Sequence, residues 1–187
     1  MRIIGGERRG LKLAEVGAGD AAAHLRPTSD RVREAIFNLL INGGYGNPLQ
    51  GARVLDLFAG TGALGLEALS RGAAHATFVD NGTTAQAILR RNIALMRATD
   101  RTEVLRRDAT GLGLNPGPAY ALLFVDPPYG KRLGEAALTA CLHGGWLAPG
   151  ALILWEESTA PLPPPPLEMR DRRTYGGTTV TILRAPA

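Results

Sequence analysis

The run Asp126-Pro127-Pro128-Tyr129 directly follows the most apolar stretch of the chain, Ala121 to Val125. Proline at both central positions stiffens the turn, because Pro128 holds Pro127 in an extended conformation. A rigid turn of this kind presents the Asp126 carboxylate and the Pro127 carbonyl as two fixed acceptors, able to take the hydrogens of one planar NH2 group. Tyr129 adds an aromatic face on which a base can stack. An exocyclic base amine is a poor nucleophile because its lone pair is delocalised into the ring. Two acceptors on its hydrogens draw it toward tetrahedral geometry and return electron density to nitrogen. Catalysis of that kind is positioning plus electrostatic stabilisation. The plainer reading is an ordinary Pro-Pro turn with a packed Tyr.

A second chemical motif lies upstream. Asp56-Leu57-Phe58-Ala59-Gly60-Thr61-Gly62-Ala63-Leu64-Gly65 reads as a buried strand, a glycine turn and a helix start. Gly60 and Gly62 allow a sharp turn and close approach of a ligand to the backbone. Gly60 to Gly65 also matches the dinucleotide fingerprint, with Asp80 near the spacing of a ribose acid. Asp56 speaks against a dinucleotide, since it would set a carboxylate beside the phosphates. A cofactor with an ammonium and a sulfonium and no phosphate suits that carboxylate, and S-adenosylmethionine is such a cofactor. Asp80 would then accept from the ribose hydroxyls. Asp108 would take the adenine amine or, equally, cap its own loop. Phe58, Asn81 and Ala109 flank these positions and complete the expected cofactor contacts.

The elements that position these residues follow from periodicity. Residues 1–13 read as a β-hairpin, Arg2-Ile3-Ile4 against Leu11-Lys12-Leu13, and residues 14–25 as a loop. Thr28 or Ser29 caps a helix whose apolar face is Val32, Ile36, Leu39 and Leu40 and which ends at Gly43-Gly44. Strands are expected at 53–58, 76–79, 103–105, 121–125 and 151–155. Helices are expected at 63–71, from a capping box at Thr83 to Gln86 as far as Met96, and at 133–144. Pro161 to Pro166 is a stiff connector. A last hairpin, Glu168 to Arg184, turns at Gly176-Gly177. Alternating strands and helices imply an α/β fold: a mostly parallel sheet with helices on both faces, its ligands bound beyond the carboxyl ends of the strands.

The 187 residues allow one domain with a small appendage, divided here as 1–45 and 46–187. The formal net charge of +4 favours a polyanionic partner. Nearly all the positive charge is Arg; the lysines are Lys12 and Lys131. One cysteine, Cys141, rules out an internal disulfide and fits a reducing cytosol, so a cytoplasmic location is expected. No apolar run reaches membrane-span length, and Met1 to Gly6 lacks a signal-peptide pattern. His24, His75 and His143 show no ligand spacing, so no metal site is expected.

These residues resemble a known family. Asp56 to Gly65 resembles methyltransferase motif I, and Asp126 to Tyr129 resembles motif IV of the amino-methyltransferases. Met1-Arg2-Ile3-Ile4-Gly5-Gly6, Arg8-Arg9-Gly10, Arg26 to Phe37 and Tyr175-Gly176-Gly177 resemble the RsmD type, the bacterial guanine-N2 methyltransferases of 16S ribosomal RNA. The resemblance runs nearly end to end. It implies a Rossmann-like methyltransferase fold, S-adenosylmethionine as donor and a guanine of the assembling small subunit as target. Two departures stand out. The family commonly has Glu at the ribose position, one methylene longer than Asp80, and the segment from Asp108 to Tyr120 is rich in Gly and Pro.

The hairpin and first helix concentrate positive charge, and Arg8, Arg9, Arg26, Arg31 and Lys131 are the expected contacts to RNA phosphates. Glu7, Asp30 and Glu34 dilute that patch. Three other functions compete: an adenine-N6 DNA methyltransferase, for which 187 residues leave little room for target recognition, a nicotinamide-dependent oxidoreductase, and a non-catalytic RNA-binding factor. Small size and a single domain suggest a monomer.

Overall fold

The computed structural model describes residues 1–16 and 28–187. Most of the expected 14–25 loop, together with Arg26 and Pro27, lies outside the described residues. The chain runs α1 (Asp30–Asn42), β1 (Arg53–Leu57), α2 (Ala63–Ser70), β2 (His75–Val79), α3 (Thr83–Met96), β3 (Thr102–Leu105), β4 (Tyr120–Val125), α4 (Leu133–His143), β5 (Leu147–Glu157), β6 (Glu168–Tyr175) and β7 (Thr178–Arg184). One sheet of seven strands results, in the order β3-β2-β1-β4-β5-β7-β6. β1 to β5 are parallel, and the last hairpin adds β7 and β6 antiparallel at one side. This is the expected α/β, Rossmann-like architecture.

The central strands β1, β2 and β4 are buried on both sides because both faces of the sheet are covered there. On β4, Leu122 and Phe124 join the cluster formed with α1, α2 and α3, whereas Leu123 and Val125 join the cluster formed with α4. α1 buries Ile36, Phe37 and Leu40, with the Phe37 ring 5.6 Å from that of Phe124. α3 buries Ala85, Leu89, Ile93 and Met96, one stripe at helical spacing. α4 lies so close to the sheet that a Cβ on Gly134 would stand 2.4 Å from the Trp155 ring.

The chain winds outward from β1 through β2 to β3, then returns to lay β4 on the other side of β1. The connections leaving β1 and β4 therefore diverge, and a crevice opens at their carboxyl ends. Leu57 pairs with Val125, so the turn after each strand starts at the same level.

The expected N-terminal hairpin forms: Ile3 N donates to the Leu11 carbonyl at 2.9 Å, Gly10 N to the Ile3 carbonyl at 2.8 Å and Leu13 N to the Met1 carbonyl at 3.1 Å, with Arg2 bridged to Lys12. It is also tied to α2, where the Glu67 carboxylate accepts from the amides of Ile4 and Gly5, each at 2.8 Å. Two local expectations are corrected. Thr83 to Gln86 is no capping box: Gly82 holds the cap position without a side-chain bond, and the Gln86 amide donates to the Asp80 carbonyl at 2.6 Å. β5 runs on past Trp155 to Glu157, because Glu156 and Glu157 still pair with Val180 and Thr179 of β7. No helix among the described residues is long and apolar enough to cross a membrane.

Candidate active site

The crevice holds a cavity of about 760 Å³. Asp56, Phe58, Gly60, Asp80 and Asn81 line it from the β1–β2 side, and Asp126, Pro127, Pro128, Tyr129 and Lys131 from the β4 side. Residues separated by some 70 positions in the chain thus share one chamber. Gly62 lies behind this surface as the cap of α2, with φ +81°. A Cβ there would meet Leu89 at 2.4 Å. Asp108 and Ala109 do not line the cavity; the Asp108 carboxylate accepts from the amide and hydroxyl of Thr110 at 2.8 and 2.7 Å.

The glycine turn is held from two sides. The Asp80 carboxylate accepts from Gly60 N at 2.9 Å and from Gly82 N at 2.7 Å, fastening the turn after β1 to the turn after β2. Phe58 takes a left-handed conformation, φ +58°, which costs a non-glycine residue on the order of 1 kcal/mol and is sustained by these bonds. Asp56 is buried and accepts from Gly65 N at 2.9 Å, which occupies one of the free amides at the start of α2. Burial pushes the Asp56 carboxyl well above the ordinary range. The Gly65 amide partly offsets this, while the charges of Asp126 and Asp80 add to the rise. Three carboxyl groups facing one chamber, with an α2 amide already taken by Asp56, suit a cationic ligand and disfavour a pyrophosphate.

The Asp126 turn is equally constrained. Gly130 N donates to Glu157 Oε1 at 2.8 Å, and the Tyr129 hydroxyl lies 3.3 Å from Thr178 Oγ1 on β7. Burial raises the Asp126 carboxyl to about 7; a hydrogen bond from Thr28 pulls it down and the Glu157 charge pushes it up. Burial, with the Thr178 bond opposing it, also raises the Tyr129 phenol.

Sequence reasoning missed two residues here. Ser29, not Thr28, caps α1, accepting from Val32 N at 3.2 Å. The freed Thr28 hydroxyl lies 3.3 Å from Asp126 Oδ2 and 3.4 Å from Glu156 Oε2. Glu156 is buried on β5 beside a second cleft that shares Thr28 and Tyr129 with the main cavity. The signal was present: β1, β2 and β4 each carry or meet an acid at the carboxyl end, and β5 ends in Glu156-Glu157.

Of the expected RNA contacts, Arg9, Arg31 and Lys131 are exposed and Arg8 is half-buried. Arg31 lines the second cleft, and Lys131 stands at the rim of the main cavity. Arg33, part of the same basic run, is fully buried and donates to the Arg2 carbonyl and the Asp30 carboxylate.

The family model described as conserved hypothetical protein 95 matches residues 1–184. The ribosomal RNA small subunit methyltransferase D of Escherichia coli is 41% identical over 156 residues, covering 83% of this chain and 74% of that protein. The Bacillus subtilis protein YlbH is 36% identical over 190 residues, covering 98% of each. Among solved structures, yhhF of Escherichia coli superposes with a TM-score of 0.82 at 36% identity, covering 100% of this chain and 98% of that one. With residues 1–184 matched by the family model and relatives at 36–41% identity over most of both chains, the chain belongs to the conserved hypothetical protein 95 family, the family of the RsmD-type methyltransferases.

Proposed function

We propose that the protein transfers a methyl group from S-adenosylmethionine to the N2 amine of a guanine in 16S ribosomal RNA. One observation carries this reading: the Asp126-Pro127-Pro128-Tyr129 turn and the acid-lined glycine turn open into the same cavity. The homologues' names, methyltransferases of small-subunit ribosomal RNA, support the substrate class.

The donor set fits S-adenosylmethionine. Asp56 and Asp80 oppose its positive charge and ribose hydroxyls, and the Gly60 turn leaves room for close approach. Bound there, it supplies an electrophilic methyl carbon on sulfur. The Asp126 carboxylate and Pro127 carbonyl hold the two hydrogens of the acceptor amine, and Tyr129 stacks on the base. As the nitrogen–carbon bond forms and the sulfur–carbon bond breaks, the amine nitrogen becomes cationic and must lose a proton. Asp126, with its carboxyl raised to about 7, is matched to receive it. Residues 1–45 act as the RNA-contacting extension, with Arg8, Arg9, Arg26 and Arg31 on phosphates together with Lys131 of the 46–187 domain, and the protein works as a monomer.

The test is transfer of labelled methyl to undermethylated small subunits, followed by nucleoside analysis. N2-methylguanosine that disappears in Asp126→Ala is the expected result. Label in DNA adenine instead would overturn the choice of base and nucleic acid while leaving the amine chemistry standing.

A further inference from the structure

The second cleft, about 730 Å³, lies between α1 and the β6–β7 turn and is walled from the cofactor cavity by Thr28 and Tyr129. Glu156 lines it and is 1% exposed. Its Oε2 lies 3.4 Å from the Thr28 hydroxyl, and its Oε1 has no hydrogen-bond partner among the described residues. The same hydroxyl is 3.3 Å from Asp126 Oδ2. One hydroxyl carries one proton, so it cannot serve both carboxylates at once. Two acid groups therefore face the acceptor side of the site, a single hydroxyl apart, and at least one lacks a donor. A buried carboxylate oxygen without a donor is costly, and a ligand that brings one is favoured.

The bases that carry an exocyclic amine differ in what sits beside it. Adenine has a ring nitrogen lone pair next to its amine, and so does cytosine. Guanine alone has a second donor there, N1–H, adjacent to the N2 amine. We propose that Glu156 determines the base: it accepts the N1–H of the guanine whose N2 amine is held at Asp126, and it rejects bases that present a lone pair at that position. This rests on the reading above that the acceptor is a guanine amine. Arg33 reinforces the assignment from behind. Its fully buried guanidinium leaves Nε and Nη1 without partners among the described residues, and its charge only partly offsets the burial and the Asp126 charge that hold the Glu156 carboxyl well above its ordinary range. With Oε2 turned to the Thr28 hydroxyl, the unpartnered Oε1 presents an acceptor lone pair in either protonation state, and its repulsion of a ring lone pair gives exclusion as well as attraction.

The experiment uses small subunits reconstituted with RNA in which the methylated guanine, once mapped, is replaced by 2-aminopurine. That base keeps the N2 amine and lacks the N1 hydrogen. The wild-type enzyme is expected to prefer guanine by about 10- to 100-fold in kcat/KM, the worth of one well-made base contact. In Glu156→Gln the preference should collapse toward unity, because an amide both accepts and donates, with S-adenosylmethionine affinity unchanged. N2-methylguanosine formed with no wild-type preference over 2-aminopurine, or with the same preference in Glu156→Gln, would overturn the role of Glu156 alone. The wild-type comparison stands even if the variant folds poorly. Absence of N2-methylguanosine with wild-type enzyme would overturn the guanine reading and this role with it.

Discussion

Asp126 carries opposing demands. Its carboxyl sits at about 7 chiefly because burial penalises the charge. As an acceptor for the amine it must be ionised, so transfer should fall roughly tenfold per pH unit below about 7 and level off above. A pH–rate profile checks this. The stability consequence has the opposite sign. The folded state holds a proton on Asp126 between the ordinary value of 3.8 and about 7, where the unfolded chain has lost it. Stability therefore falls as pH rises through that window. Asp126→Asn removes the penalty, and at pH 8 it should abolish methylation while raising Tm by about 3–6 °C. The gain should vanish at pH 4, and a Tm that falls at pH 8 would refute the account. The chemistry of Asp126 was legible from four residues because the stiff Pro-Pro turn is rare and local. Thr28 was not: its cap position is ambiguous in sequence, and only the fold brings its hydroxyl to a carboxylate 98 positions away.

At the scale of elements, the N-terminal segment depends on one helix side chain. Glu67 is fully buried and holds the amides of Ile4 and Gly5 together with Arg71 Nε. Glu67→Ala leaves these donors buried and unpaired, at a cost of about 3–5 kcal/mol, and should lower Tm by about 6–15 °C in thermal unfolding. The hairpin pattern of residues 1–13 could not reveal this, because the bonding partner lies more than sixty positions away. α2 also sets the approach to the cofactor turn. A Cβ on Gly65 would stand 2.4 Å from Phe78 and 3.0 Å from Asp56 Oδ2. Gly65→Ala should therefore cost about 1–3 kcal/mol and weaken S-adenosylmethionine binding in calorimetry. Strand cores were readable because doubly covered parallel strands are continuously apolar. The end of β5 was not, since Glu156 and Glu157 break that run although β7 still pairs with them.

For the whole molecule, the excess of positive charge predicts RNA binding that weakens steeply with salt. If Arg9 and Arg31 each neutralise one phosphate, Arg9→Ala and Arg31→Ala should each lower the slope of log Kd against log salt by about 1 without altering cofactor affinity. Titrations across salt concentration decide this, and unchanged slopes would remove those residues from the RNA footprint. Charge at this scale was legible in composition, whereas the burial of Arg33 within the same basic run was not.

Thr28 and Tyr129 border both the main cavity and the second cleft, so the two chambers meet at a shared wall. A single synthetic molecule can therefore span them. A purine amine tethered through a short linker to an adenosine would turn its second binding event into an intramolecular one, with a millimolar effective concentration. Selective inhibitors of this enzyme can be sought in such two-headed compounds, with linker length as the variable to optimise.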